Sequence, residues 1–212
     1  MAQKFAVSGQ HYLFDVQAFA HTILALGGEE YSYALRDRTT RGVIADVVEG
    51  RSEVGVLMRN TRTAVDIDRE IEAAGLEFHE LATSKPRVAL PASHPLSNAT
   101  SLTPDQLADW PYVYFEQEDG APDYLAEEAL GDLPHAKSIA LTDRASLSEL
   151  AVAMNGYTFT SGILVGITDG GSLTTIPLES DVELSLGYIT RTDEELIPIA
   201  QRFVEKLARS LE

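Results

Sequence analysis

Along nearly its whole length, the hydrophobic pattern of this chain switches between short continuous apolar runs and helical spacing. Residues 4–8 and 31–35 read as strands, and between them Val16, Phe19, Ala20, Ile23 and Leu24 recur at helical spacing. Val43, Ile44, Val47 and Val48 form the next helical face, which ends at Gly50, a C-cap residue. Residues 54–58 form a continuous apolar strand of the kind buried on both faces of a parallel sheet. Ile67, Ile71 and Ala74 give a third helix closed by Gly75. Strand and helix repeated at this pitch predict βαβ architecture with right-handed crossovers.

The second half repeats the theme. Arg87–Pro91 is a strand followed by a turn at His94-Pro95. Thr103 is a good N-cap, Pro104 suits the first helical position, and Gln106 completes a capping box. Residues 111–115 and 139–141 read as strands, with a helix expected over residues 123–130 between them. Leu147, Leu150, Ala151 and Met154 give another helix, stopped by Asn155-Gly156. Leu184–Arg191 is a strand, and Leu196, Ala200, Phe203, Val204, Leu207 and Leu211 mark a long closing helix. About ten strands are too many for one compact sheet, so two α/β lobes are expected.

Composition narrows the function classes. The 212 residues carry 16 Lys and Arg against 33 Asp and Glu, a formal charge of −17. That sign repels phosphate backbones, so no nucleic acid is expected to bind this chain alone. With no cysteine, disulfides, thiolate nucleophiles and sulfur-based zinc sites are excluded. No apolar run approaches the ~20 residues of a membrane helix, so no membrane partner is expected. The start at Met1 has no signal-peptide h-region, which makes the cytoplasm the expected location. Nucleophile elbow, Walker loop, glycine fingerprint and metal-type His pair are all missing, and no enzyme, metal or cofactor is expected. The five histidines are scattered, with structural or surface roles as the default. From Glu116 to Asp132 there are seven acidic residues and no basic one, which a solvated face explains.

In open parallel sheets, ligands sit outside the carboxyl ends of strands, near helix N-termini. The turns that qualify are Ser8-Gly9-Gln10-His11, Arg38-Thr39-Thr40-Arg41, Arg59-Asn60, Glu116-Gln117 and Thr142-Asp143-Arg144. The first two combine hydroxyl or amide side chains with exposed N–H groups, the chemistry that holds an anion. Ser8, Thr39 and Thr40 are equally well explained as helix caps. Arg38, Arg41 and Arg59 could add charge-assisted bonds to an anion, or pair with the abundant surface carboxylates. Leu13, Phe14 and Leu26 fall outside the face of the first helix and are expected as surplus apolar surface.

With these residues placed, the chain resembles the effector-binding (substrate-binding) domain of LysR-type transcriptional regulators. Arg87-Val88-Ala89-Leu90-Pro91-Ala92-Ser93-His94-Pro95-Leu96 followed by Leu102-Thr103-Pro104-Asp105-Gln106-Leu107 is similar to that family's strand, turn and helix. Gly50-Arg51-Ser52-Glu53-Val54-Gly55-Val56, Leu150-Ala151-Val152-Ala153-Met154-Asn155-Gly156 and Ile197-Pro198-Ile199-Ala200-Gln201-Arg202-Phe203 resemble further family segments in the right order. Glu53 stands where the family usually has Asp, and residues 157–162 are more polar than the family's counterpart.

The resemblance implies two Rossmann-like lobes joined by two crossover strands, as in type 2 periplasmic binding proteins. Residues 1–83 and 183–212 would form the first lobe and residues 84–182 the second. A small-molecule effector, carboxylate-bearing given the anion-holding turns, would bind in the cleft between the lobes. It would meet Ser8, Gln10, His11, Thr39, Thr40, Met58 and Phe115, with Thr142 and Thr160 as weaker contacts. The resemblance also implies a homodimer, with a tetramer possible in a full-length regulator. The family's winged helix-turn-helix and linker helix are missing from the sequence. The chain is therefore read as a regulatory domain apart from its DNA-binding part or as a stand-alone module. The rival reading is a solute-binding protein of the same fold, serving a transporter.

Overall fold

A computed structural model describes residues 3–26, 28–163 and 172–211, so the expectation placed on Met1 lies outside the described residues. The chain folds into two α/β lobes. The first is built on β1 (Gln3–Gly9), β2 (Tyr31–Asp37), β3 (Val54–Asn60), β4 (Leu76–Ser84) and β10 (Leu184–Arg191), in the order β2-β1-β3-β10-β4. β1 pairs in parallel with β2 and β3, while β10 runs antiparallel to β3 and β4. β3 is the buried central strand that its apolar run predicts.

The second lobe joins β5 (Arg87–Pro91), β8 (Thr158–Thr160) and β9 (Leu173–Pro177) to the parallel pair β6 (Tyr112–Phe115) and β7 (Ser138–Leu141). A bridge between Tyr112 and Tyr157 links β6 to the residue just before β8. β4 carries the chain out of the first lobe and β10 carries it back, side by side, with Ser84 opposite Leu184. The short β8 and β9 have no marked alternation and were not legible as strands.

Helices α2 (Thr40–Val48) and α3 (Ala64–Ala73) end where their glycines predict, with Gly50 and Gly75 at φ 67° and 72°. The helix at Thr103 is a single turn, α4 (Pro104–Leu107), in which Gln106 accepts from the Thr103 N–H at 2.9 Å. α5 (Ala145–Met154) stops at Asn155, which takes the left-handed conformation at φ 50°. α6 (Pro198–Ser210) buries Ala200, Phe203 and Leu207 of the face read in sequence, adds Ile199, and leaves Leu196, Val204 and Leu211 half-buried.

Several expectations need correction, beginning with Val48 and Met154, which were read on core-facing helix faces and are exposed. α1 (Leu13–Leu26) buries Phe14, Asp15, Ala18, Phe19 and Thr22, so its core face is rotated from the one read in sequence. Phe14 is core, whereas Ala20 and Leu24 are exposed. The helix is apolar nearly all round, and the face is chosen by packing: Phe19 lies 5.8 Å from Phe5 and 6.4 Å from Phe203. The helix expected over residues 123–130 is only a 3-10 turn, Asp123–Leu125. The backbone leaves helical geometry at Ala126 (ψ 136°) and turns again at Leu130 (φ 61°). That path swings Glu127 and Glu128 inward.

Candidate functional site

The carboxyl ends of β1 and β3 and the N-termini of α1 and α2 meet the second lobe along one seam. At the end of β1 a Cβ on Gly9 would overlap the Asp15 carboxylate, so glycine is required for that close approach. Gln10 is fully buried and ties three elements together. Its N–H donates to Val56 O at 3.1 Å, its Oε1 accepts from the Met58 N–H at 2.7 Å, and its Nε2 donates to Thr40 Oγ1 at 2.5 Å.

The second lobe reaches across with the segment between β6 and β7. Glu127 accepts from the His11 N–H at 3.0 Å and pairs with His11 Nδ1 at 2.7 Å. The two side chains are 5% and 2% exposed, so this contact is sealed from water. The His11 ring stacks on Phe115 at 4.0 Å and 8° between planes. Tyr12 donates to Glu127 O at 3.0 Å. The first N–H of α2, on Thr40, donates to Gln117 Oε1 at 3.0 Å, and Thr40 Oγ1 donates to Leu125 O at 2.7 Å. Thr39 caps α2 by accepting from the Gly42 N–H, and its hydroxyl meets Glu118. Arg144 reaches back to Asp37 at 2.6 Å.

The charges in this seam are perturbed. Burial would lower the His11 pKa, but the hydrogen bond and the charge of Glu127 outweigh it and hold the imidazole above its usual value. Burial pushes the Asp15 carboxyl up to about 7, against the opposing pull of Arg144, 3.7 Å away.

Of the residues singled out in sequence, Gln10, His11, Thr39, Thr40, Met58 and Phe115 come together at this seam. Ser8 does not: it is fully buried, donating to Asp46 at 2.6 Å with Ser52 at 2.8 Å, beneath the end of the strand. Thr142 stands exposed just past β7, and Thr160 lies at the end of β8, opposite Arg87. Arg38, Arg41 and Arg59 are paired with Asp46, Glu70 and Asp68, the salt-bridging role.

The acidic run is the main correction. Glu127 and Glu128 are only 2% and 6% exposed, so a solvated face does not account for them. Both find backbone N–H donors, Glu127 on His11 and Glu128 on Phe115 at 2.7 Å. Their setting between Leu125 and Ala129-Leu130, all buried, is the sequence signal that distinguishes them from the exposed acids upstream. Gln117 and Arg144 lie in two of the turns that qualify by their place after a strand, whereas Tyr12 and Asp15 carry no comparable signal. Among the described residues, no group of three or more His, Asp or Glu is placed to hold a metal ion, and no helix is long and apolar enough to cross a membrane.

The family model of the LysR substrate binding domain matches residues 31–212. The chain belongs to this family. It is thus a LysR-type regulatory, effector-binding domain with the type 2 periplasmic-binding-protein-like fold. Solved structures agree on the fold. The regulatory domain of CcmR from Synechocystis PCC6803, in complex with 2-PG, is 13% identical with a TM-score of 0.68, covering 99% of this chain and 98% of that one. The effector-binding domain of QuiR in complex with shikimate is 10% identical at a TM-score of 0.64, covering 100% and 98%. HinK, a LysR family transcriptional regulator from Pseudomonas aeruginosa, is 15% identical at 0.66, covering all of this chain and 70% of its own. No curated protein matches the sequence.

Proposed function

We propose that this LysR-type domain senses a small carboxylate-bearing effector between its lobes, taken here as residues 1–83 plus 183–212 and residues 84–182. The effector is held by Gln10, His11, Thr39 and Thr40, with Met58 beneath it and Phe115 beside it. The observation that carries this reading is the Glu127 carboxylate seated on the His11 N–H and ring at the start of α1. An anion at a helix N-terminus gains about 0.3–1 kcal/mol from the dipole, and more when partly buried. An effector carboxylate competes for those same donors and frees Glu127 with its segment. Its higher affinity for the freed arrangement then shifts the population of lobe arrangements, with no chemical step. Shikimate, bound by the similar QuiR domain, is itself a carboxylate. Ser8, Thr142 and Thr160 fall outside the proposed contacts.

The same reading includes a cytoplasmic homodimer. Leu13, Leu24 and Leu26 on α1 and Val152 and Met154 on α5 are exposed apolar residues, one set on each lobe, which supports side-by-side pairing of first-lobe and second-lobe surfaces. The experiment for the effector site uses benzoate as the probe in calorimetric titration. Saturable binding that is lost in a folded His11→Ala protein supports the reading. Benzoate binding unchanged by that substitution refutes it.

A further inference from the structure

Within the second lobe, behind the segment that carries Glu127, lies a cavity of about 460 Å³ bounded by Tyr112, Tyr114, Phe115, Gln117, Glu128 and His135. That is the size of a small-molecule site. Four buried polar atoms among these residues have no hydrogen-bond partner: Tyr112 Oη, Gln117 Nε2, Glu128 Oε2 and His135 Nε2. Glu128 and Tyr112 are 6% and 2% exposed, so neither group is satisfied by bulk water. Such groups are costly to leave unpaired, which is why so many around one cavity point to an occupant.

The chemistry of the lining selects the occupant. The other oxygen of Glu128 accepts from the Phe115 N–H, which leaves Oε2 as a free acceptor. Burial, and then the charge of neighbouring Glu127, push the Glu128 carboxyl well above the usual carboxylate range, so a positive partner recovers what burial costs. The exposed Glu116, Glu118, Asp119 and Asp123 complete a lining with five carboxyl groups and no Lys or Arg, which disfavours any anion. The Tyr112 ring stacks on Tyr114 at 5.3 Å and on His135 at 3.9 Å, a wall of ring faces suited to a flat body and to a cation.

We propose that this cavity binds a small organic cation, an amine or amidine on a flat apolar body, with its N–H groups on Glu128 and its body against Tyr112 and Tyr114. This place adjoins the carboxylate site, with Phe115 between the two, but its lining belongs wholly to the second lobe. Its neighbour along the chain, Glu127, bridges to His11, so occupancy acts on the same segment. The test is calorimetric titration of the whole chain with benzylammonium chloride and, separately, with benzyl alcohol, which has the same body without the charge. Benzylammonium should bind saturably and benzyl alcohol about tenfold or more weakly, the difference expected for a charged hydrogen bond. Glu128→Gln keeps the shape and should cost a similar factor. Tyr112→Phe, which keeps the ring, provides the same comparison should the first variant not fold. No saturable binding of benzylammonium, or equal affinity for benzyl alcohol, overturns the proposal, as does equal affinity for the folded variants and the parent.

Discussion

Glu127→Gln isolates the charge in the contact that joins the lobes. Glutamine keeps the side-chain shape and can still accept from the His11 N–H, so the change removes charge and not volume. A hydrogen bond to a charged group contributes about 1.5–3 kcal/mol and a neutral one about 0.5–1.5, so the loss is about 1–2 kcal/mol. For a chain of 212 residues this corresponds to a fall in Tm of about 2–8 °C. Its pH dependence gives a sharper test. Burial opposes the charge on His11, but the Glu127 hydrogen bond and charge raise its pKa above 6.5. Stability from a raised imidazole is present in full below the unfolded value and lost as pH rises through the folded value. The deficit of the variant should therefore be larger at about pH 6, below the unfolded value, than at about pH 9, above it. Urea unfolding of parent and variant at both pH values measures it. An equal deficit at the two, or a variant as stable as the parent throughout, refutes the buried ion pair.

Other expectations follow from the same seam and its surroundings. Burial raises Asp15 to about 7, so between its unfolded value and that point the folded chain keeps a proton that the unfolded chain loses. Stability should fall there by about 1.4 kcal/mol per pH unit and level off above, and Asp15→Asn should flatten that slope in urea unfolding. Thr40→Val strands Gln10 Nε2 and Leu125 O, costing about 2–5 kcal/mol, and should weaken benzoate binding; undiminished affinity would remove Thr40 from the contacts. Leu24 is 84% exposed, so Leu24→Glu should leave the fold within about 0.5 kcal/mol yet abolish self-association in sedimentation, and a parent that is itself only monomeric would refute the dimer.

The elements most legible in the sequence were those whose signals are local. Gly50 and Gly75 stop their helices by backbone conformation, Asn155 does the same, and the one-sided pattern of α6 admits a single core face. α1 was misread because it is apolar on several sides, and only contacts with Phe5 and Phe203 decide which side faces in. The first-lobe turns at the seam were legible because they follow strands at the expected end of the sheet, although Ser8 turns inward to Asp46. In the second lobe Phe115 was singled out, but Glu127 and Glu128 were missed, since they look like the rest of an acidic run. Glu127 is held by donors more than a hundred residues away at His11, Glu128 by the Phe115 N–H, and both by the extended turn after Leu125.

In the proposed reading, the His11 donors form a carboxylate site that Glu127 occupies. It is tested most directly by following the His11 ring by NMR in Glu127→Ala while benzoate is titrated. The substitution should lower the His11 pKa, benzoate should restore it, and benzoate should bind the variant more tightly than the parent because its internal competitor is gone. A His11 ring that titrates identically with and without benzoate, in a folded variant, would contradict it.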